Sequence, residues 1–216
     1  MTTTILFALA NFAFVSSITP GPNNMMLMAS GANFGLRRTL PHMFGVGLGF
    51  TFMIVLVGFG LAGLFEVFPI LHTILLIGSV TYLLFLAWKI ATAAPKIDTA
   101  QTSGTPITFF QAAAFQWVNP KAWMMALGAI TLYVPDDQRV LGVFAVALIF
   151  GMINIPCVTV WAWMGVQVRR LLNTPVRLRV FNWTMALLLI ASLYPILAPD
   201  QDATDAAQAL RLLGSD

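Results

Sequence analysis

Acidic residues are scarce in this chain and lie outside its long apolar runs. Eight Asp and Glu stand against eleven Lys and Arg in 216 residues, and charged residues make up only 9% while hydrophobic ones make up 59%. A soluble domain carries about a quarter charged residues. With so little charge, no polar chain remains for a soluble domain of any size once the apolar runs are set aside. The single cysteine, Cys157, excludes an internal disulfide and a thiol relay that needs a pair, and it reads as a small buried apolar residue. H-E-x-x-H, G-x-S-x-G and paired intramembrane aspartates are all missing, which excludes the corresponding intramembrane enzymes. No cofactor or metal is expected. The net charge of +3 is clustered in particular loops and calls for no nucleic-acid partner.

What the sequence does have is length in its apolar runs. A hydrocarbon core about 30 Å thick needs about 20 residues of helix, and spans are expected over 4–36, 41–65, 69–91, 105–134, 139–166 and 181–197. The fold class is therefore an all-α integral membrane protein of about six transmembrane helices in a single domain, 1–198. A polar tail, 199–216, receives no function. Met1 to Thr4 carry no Lys or Arg and no small-residue cleavage site follows, so the first run is expected to stay in the mature protein.

Charge fixes the expected orientation. Arg37 and Arg38, then Lys89 and Lys96, then Arg169, Arg170, Arg177 and Arg179 fall on the odd connections, while Glu66, then Asp136, Asp137 and Arg139, and the tail residues Asp200, Asp202, Asp205, Arg211 and Asp216 fall on the other side. The Lys/Arg excess marks the cytoplasmic side, which puts both termini outside.

Two spans are too long. Residues 4–36 as unbroken helix would reach about 50 Å and 105–134 about 45 Å. Each carries a breaker near its midpoint, TPGPNN at 19–24 and WVNPK at 117–121. These positions correspond in two halves of three spans, approximately 1–91 and 105–198. A unit with an odd number of spans reverses direction when repeated, so the halves are expected to form an inverted pair with helices 1 and 4 broken near the midplane.

A proline inside a helix donates nothing to the carbonyl four residues earlier. Pro20, Pro22 and Pro120 therefore free the carbonyls of Ser16, Ile18 and Gln116. Irregular backbone at membrane depth persists where it is buried in protein or lines a wet cavity. Asn119 before Pro120 is a good N-cap and first helical residue; Gly21 before Pro22 serves similarly, with Asn23 and Asn24 adding donors. A helix restarting at each break presents unpaired N–H groups and partial positive charge, an anion site. Lys121 lies at the wrong end of its helix dipole, deep in the bilayer, with no acidic residue at comparable depth. A transported carboxylate would offset that cost; snorkelling, with the ammonium held by loop carbonyls, is the structural alternative.

ITPGPNNMMLMASGANFGLRRTL, GVGLGF, TYLLFLAWKIA and TFFQAAAFQWVNPKAW together resemble the LysE/RhtB family of amino-acid exporters, above all its cysteine and O-acetylserine branch, over nearly the whole chain. The resemblance implies proton-driven efflux of amino acids or close derivatives across a bacterial inner membrane. It identifies Pro20, Gly21, Pro22, Asn23, Asn24, Asn119, Pro120 and Lys121 as the motif positions. The chain keeps Pro120, which some exporters of that branch lack.

The expected mechanism is alternating access around a midplane site. The substrate carboxylate would face Lys121 and the half-helix starts, and its ammonium the carbonyls of Ser16, Ile18 and Gln116. Trp117 and Trp123 flank the second break as candidate cavity walls, whereas Trp88, Trp161, Trp163 and Trp183 read as belt or packing residues. NIP at 154–156 offers Asn154 and Pro156 as a hinge or wet kink in the fifth span. His42 and His72 lie near span ends and read as interfacial rather than as proton relays. Gly45, Gly47, Gly49, Gly58, Gly60 and Gly63 read as helix-packing positions. A passive channel for small zwitterions or anions is the alternative function. Beyond substrate, protons and lipid, a homo-oligomer is left open.

Overall fold

The computed structural model describes residues 1–63, 67–68, 70–93, 105–135, 138–172 and 174–194. The tail at 199–216, Glu66, Lys96, Asp136 and Asp137 lie outside the described residues, as does the side chain of His72. Among the described residues the chain is all-helical, with no strand: α1 Thr3–Ile18, α2 Pro22–Gly58, α3 Ile70–Ala91, α4 Phe109–Val118, α5 Pro120–Tyr133, α6 Arg139–Leu171 and α7 Pro175–Ala191. A short 3₁₀ turn, Leu61–Gly63, follows α2. Helices α2, α3 and α6 each contain a stretch long and apolar enough to cross a membrane.

The polarity of the fold is turned inside out. Phe7, Phe52, Phe110, Leu132, Leu141 and Trp183 are exposed, while Asn24, Asn33, Gln116, Asn119, Asn154, Asn182 and His42 are buried. That arrangement suits a lipid solvent, in which polar groups must find partners within the protein.

Both expected interruptions are present. α1 ends at Ile18 and α2 restarts at Pro22; α4 ends at Val118 and α5 restarts at Pro120. α4 itself starts on a capping box between Thr108 and Gln111. The first expected connection, around Arg37 and Arg38, is not a loop. α2 runs through it and bends at Gly35, where φ is 77° and ψ 167°; a residue without Cβ adopts that backbone readily. Straight, α2 would be about 55 Å long, and the bend divides it into two arms, 22–34 and 36–58. The fifth connection is also shorter than expected. Thr174 caps Arg177 N at 3.2 Å and Pro175 opens α7, which draws Arg177 and Arg179 into its first turns.

α2 and α6 form the central pair. A Cβ on Gly31 would strike the Ala162 backbone, and one on Gly165 would strike the backbone of Met28 and Ala32, so the two helices touch main chain to main chain. Gly45 and Gly49 seat α4 at Phe109, Ala112 and Ala113; Gly47 seats Ile155 and Gly58 seats Val143. Gly60 and Gly63 have open space and serve the turn instead.

Not one described residue is an Asp or Glu, and three cations are served by carbonyls instead. Arg169 Nη1 donates to Ala32 O at 3.1 Å and Asn33 O at 2.8 Å, at the end of the first arm of α2. Arg139 Nε donates to Gly58 O at 3.0 Å, at the end of the second. A cation is stabilised at a helix C-terminus by the dipole and the unpaired carbonyls there.

Candidate functional site

Lys121 follows the same rule at a third helix end. Its Nζ reaches across from α5 to donate to Thr19 O at 2.7 Å, with Pro20 O at 3.4 Å, where α1 has just stopped. The cation that sits at the wrong end of its own helix is at the right end of another. Its stem lies over Gly21, where an added Cβ would meet Lys121 Cδ at 2.9 Å and Nζ at 3.2 Å. Gly21 is extended, at φ −175°, so room for the lysine is what the glycine provides.

A second bond ties the two breaks together. Asn23 Nδ2 donates to Gln116 Oε1 at 2.8 Å and Gln116 Nε2 returns to Asn23 Oδ1 at 3.2 Å. Asn24 instead repairs the break from within: its Nδ2 donates to Ser17 O at 2.9 Å and Thr19 O at 2.8 Å. At the other break Asn119 Oδ1 accepts from Lys121 N at 3.1 Å, the N-cap role its type implies.

The structure gives partners to two of the three carbonyls expected to be free. Trp161 Nε1 donates to Ile18 O at 3.0 Å, and Asn119 N donates to Gln116 O at 3.3 Å in a tightened last turn. Ser16 remains at the cavity, its hydroxyl donating to Phe12 O. The acceptor facing the cavity without a partner is Asn154 Oδ1, on a residue 5% exposed, whose Nδ2 donates to Ser17 Oγ at 3.1 Å.

These groups line one cavity. Ser16, Ser17, Gly21, Asn23, Asn24 and Gln116 meet Asn119, Lys121 and Asn154 around about 20 Å³, room for about one water. Phe50, Met125 and Val158 close it with apolar surface. Pro20, Pro22 and Pro120 shape the breaks without lining the cavity, and Ile18 does not line it either. Helix geometry leaves the N–H groups of Asn23 and Asn24, in the first turn of α2, without intrahelical acceptors.

Three expectations are corrected in detail. Trp117 and Trp123 do not wall the cavity; Trp123 Nε1 donates to Trp117 O at 2.8 Å and the rings meet edge to face at 6.2 Å. They clasp the second break, because Trp117 O loses its usual donor once Lys121 N turns to Asn119. Pro156 is exposed, away from the cavity, and α6 continues through it without a break; Asn154 alone of that motif reaches the cavity. His42 faces the protein interior rather than a solvated surface: it is 0% exposed and neither ring nitrogen has a hydrogen-bond partner. Trp161 packs against the core, as its expected packing role implies, and adds a bond to Ile18 O behind the first break. Ser17 and Trp161 are the site residues the sequence did not announce, and no local pattern marks either, since each acts on a neighbouring helix.

Residues 14–192 match the family described as LysE type translocator. The chain is 32% identical to the cysteine/O-acetylserine efflux proteins of Escherichia coli strain K12, Escherichia coli O1:K1 / APEC and Shigella sonnei strain Ss046, each over 194 residues, 88% of this chain and 96% of the relative. No solved structure matches.

Proposed function

This chain belongs to the LysE type translocators, a family of transporters rather than enzymes, and from that premise we propose that it exports amino acids or close derivatives by alternating access around the cavity between the two breaks. The cysteine and O-acetylserine named for its relatives support a substrate class that is small, neutral and zwitterionic. The proton gradient across a bacterial inner membrane drives the export. Six crossings arranged as two inverted halves, with both termini outside, carry the cycle.

The observation that carries this reading is the pairing of a cation with an unpartnered acceptor across one cavity. Lys121 spends its donors on Thr19 O and Pro20 O, yet an ammonium has three. The third, with the N–H groups of Asn23 and Asn24, receives the substrate carboxylate. Asn154 Oδ1 accepts from the substrate ammonium, with the Ser16 and Ser17 hydroxyls beside it. A volume of about 20 Å³ is too small for an amino acid, so the substrate-bound state widens the cavity. Opening it means parting the Asn23–Gln116 pair and the Lys121–Thr19 bond. Those two contacts are the natural latch between the halves.

Counterflow in proteoliposomes tests the proposal. Labelled O-acetylserine should enter vesicles preloaded with unlabelled substrate faster than it enters empty ones, and saturably. Equal, unsaturable entry into both would make the protein a channel and reject the carrier.

A further inference from the structure

A larger cavity lies elsewhere among the described residues. About 410 Å³ opens between the first arm of α2 and the C-terminal end of α3, within the usual range of ligand sites. Met26, Phe34, Leu86 and Ile107 give it apolar walls, and Ser30 and Lys89 are its polar groups of interest.

Hydrogen-bond arithmetic shows what those two offer. Thr39 Oγ1 gives its proton to Gly35 O at 2.8 Å. Ser30 Oγ, 3.0 Å from Thr39 Oγ1, must therefore be the donor of that pair, and it keeps its lone pairs to accept. Asn33 is spent, bonded reciprocally to Asn182 and donating to Ala29 O. Lys89, half-buried at the last turn of α3, has no hydrogen-bond or ion-pair partner among the described residues. An ammonium that donates and a hydroxyl that accepts, in one apolar-walled cavity, match the two ends of a zwitterion.

The cavity also points at the midplane site. Asn23, Met26, Ser30 and Asn33 succeed one another at three- and four-residue spacing along one face of α2. Asn23 lines the small cavity and the other three line the large one. Met26, 1% exposed, is the side chain that stands between.

We infer that this cavity is an entry vestibule on the cytoplasmic side, where Lys89 holds the carboxylate of the amino acid and Ser30 Oγ accepts from its ammonium before the substrate passes Met26 to Asn23. The inference rests on the exporter reading and adds a second, outer binding site to it. An anionic lipid headgroup shares the oxyanion chemistry, and the experiment separates the two.

Lys89→Gln, Lys89→Arg and wild type are compared by counterflow of O-acetylserine in phosphatidylcholine vesicles with and without phosphatidylglycerol. Lys89→Gln should raise KM about tenfold, the worth of one charge-assisted hydrogen bond, with the maximal rate kept. Lys89→Arg should restore most of it, in either lipid. In a Cys157→Ser background, alkylation of Ser30→Cys by a membrane-impermeant maleimide should occur from the cytoplasmic side and be slowed by O-acetylserine. An unchanged KM in Lys89→Gln with active wild type overturns this inference alone. So does alkylation slowed by phosphatidylglycerol but indifferent to substrate, which would make the cavity a lipid site. Wild type without counterflow overturns the exporter reading and the vestibule with it.

Discussion

Lys121 Nζ and the carbonyl oxygen of Thr19 lie 2.7 Å apart across 102 positions of sequence. One side chain thereby repairs the end of α1 and fixes α5 against it. With no acidic partner among the described residues, the ammonium shares Thr19 O with Asn24 Nδ2 and adds a donor to Pro20 O.

Removing that bond should affect stability and transport differently from weakening it. Lys121→Met leaves Thr19 O to Asn24 Nδ2 alone and takes the ammonium donor from Pro20 O, a loss of about 1 kcal/mol for a hydrogen bond, and should lower the thermal midpoint in detergent modestly and abolish counterflow. Lys121→Arg keeps donors for both carbonyls but must crowd Gly21; it should keep the midpoint and lose most of the transport rate. Equal transport by all three proteins would remove Lys121 from the site.

Gly21→Ala tests the same packing from the other side. Its backbone is extended, so alanine introduces no backbone strain, but its methyl would press on Lys121 Cδ. Transport should fall while the thermal midpoint changes little. A large drop in the midpoint with normal specific activity would mean that the glycine serves the chain turn alone.

The Asn23–Gln116 pair should behave as one unit. In a double-mutant cycle of Asn23→Ala and Gln116→Ala, the double variant should be scarcely less stable than the worse single, a coupling of about 1 kcal/mol. Thermal or denaturant unfolding in detergent gives the numbers. Strict additivity would deny the pair.

His42 yields an opposite expectation. Its two ring nitrogens are buried without partners, so an apolar side chain of similar size should be tolerated. His42→Leu should match or exceed wild type in thermal midpoint, since exchanging a desolvated polar group for an apolar one is neutral or stabilising. A fall of several degrees would reveal a partner bound to the imidazole in the folded protein.

Much of this was legible in residue types. Pro20, Pro22, Asn119 and Pro120 announce the breaks because proline and the N-cap amide act on their own backbone. The bend at Gly35 was not, because one residue of positive φ turns α2 without a loop, and Arg37 and Arg38 beside it imitate a connection. The burial of His42 escaped notice because apolar runs indicate depth along a span but not which way a side chain faces. Ser17 and Trp161 were hidden for a related reason: their partners, Asn154 and Ile18, stand on other helices. The same holds for the fates of the Ile18 and Gln116 carbonyls, which proline frees locally and the fold then satisfies.

Asn154 allows the most direct test of the central claim, that the cavity between the breaks is where substrate binds. Equilibrium binding of labelled O-acetylserine to purified wild type and Asn154→Leu, with thermal midpoints measured in parallel, separates recognition from folding. Saturable binding by wild type, weakened at least about tenfold in Asn154→Leu at an unchanged midpoint, is the predicted result. Equal affinity in the two proteins would contradict the site.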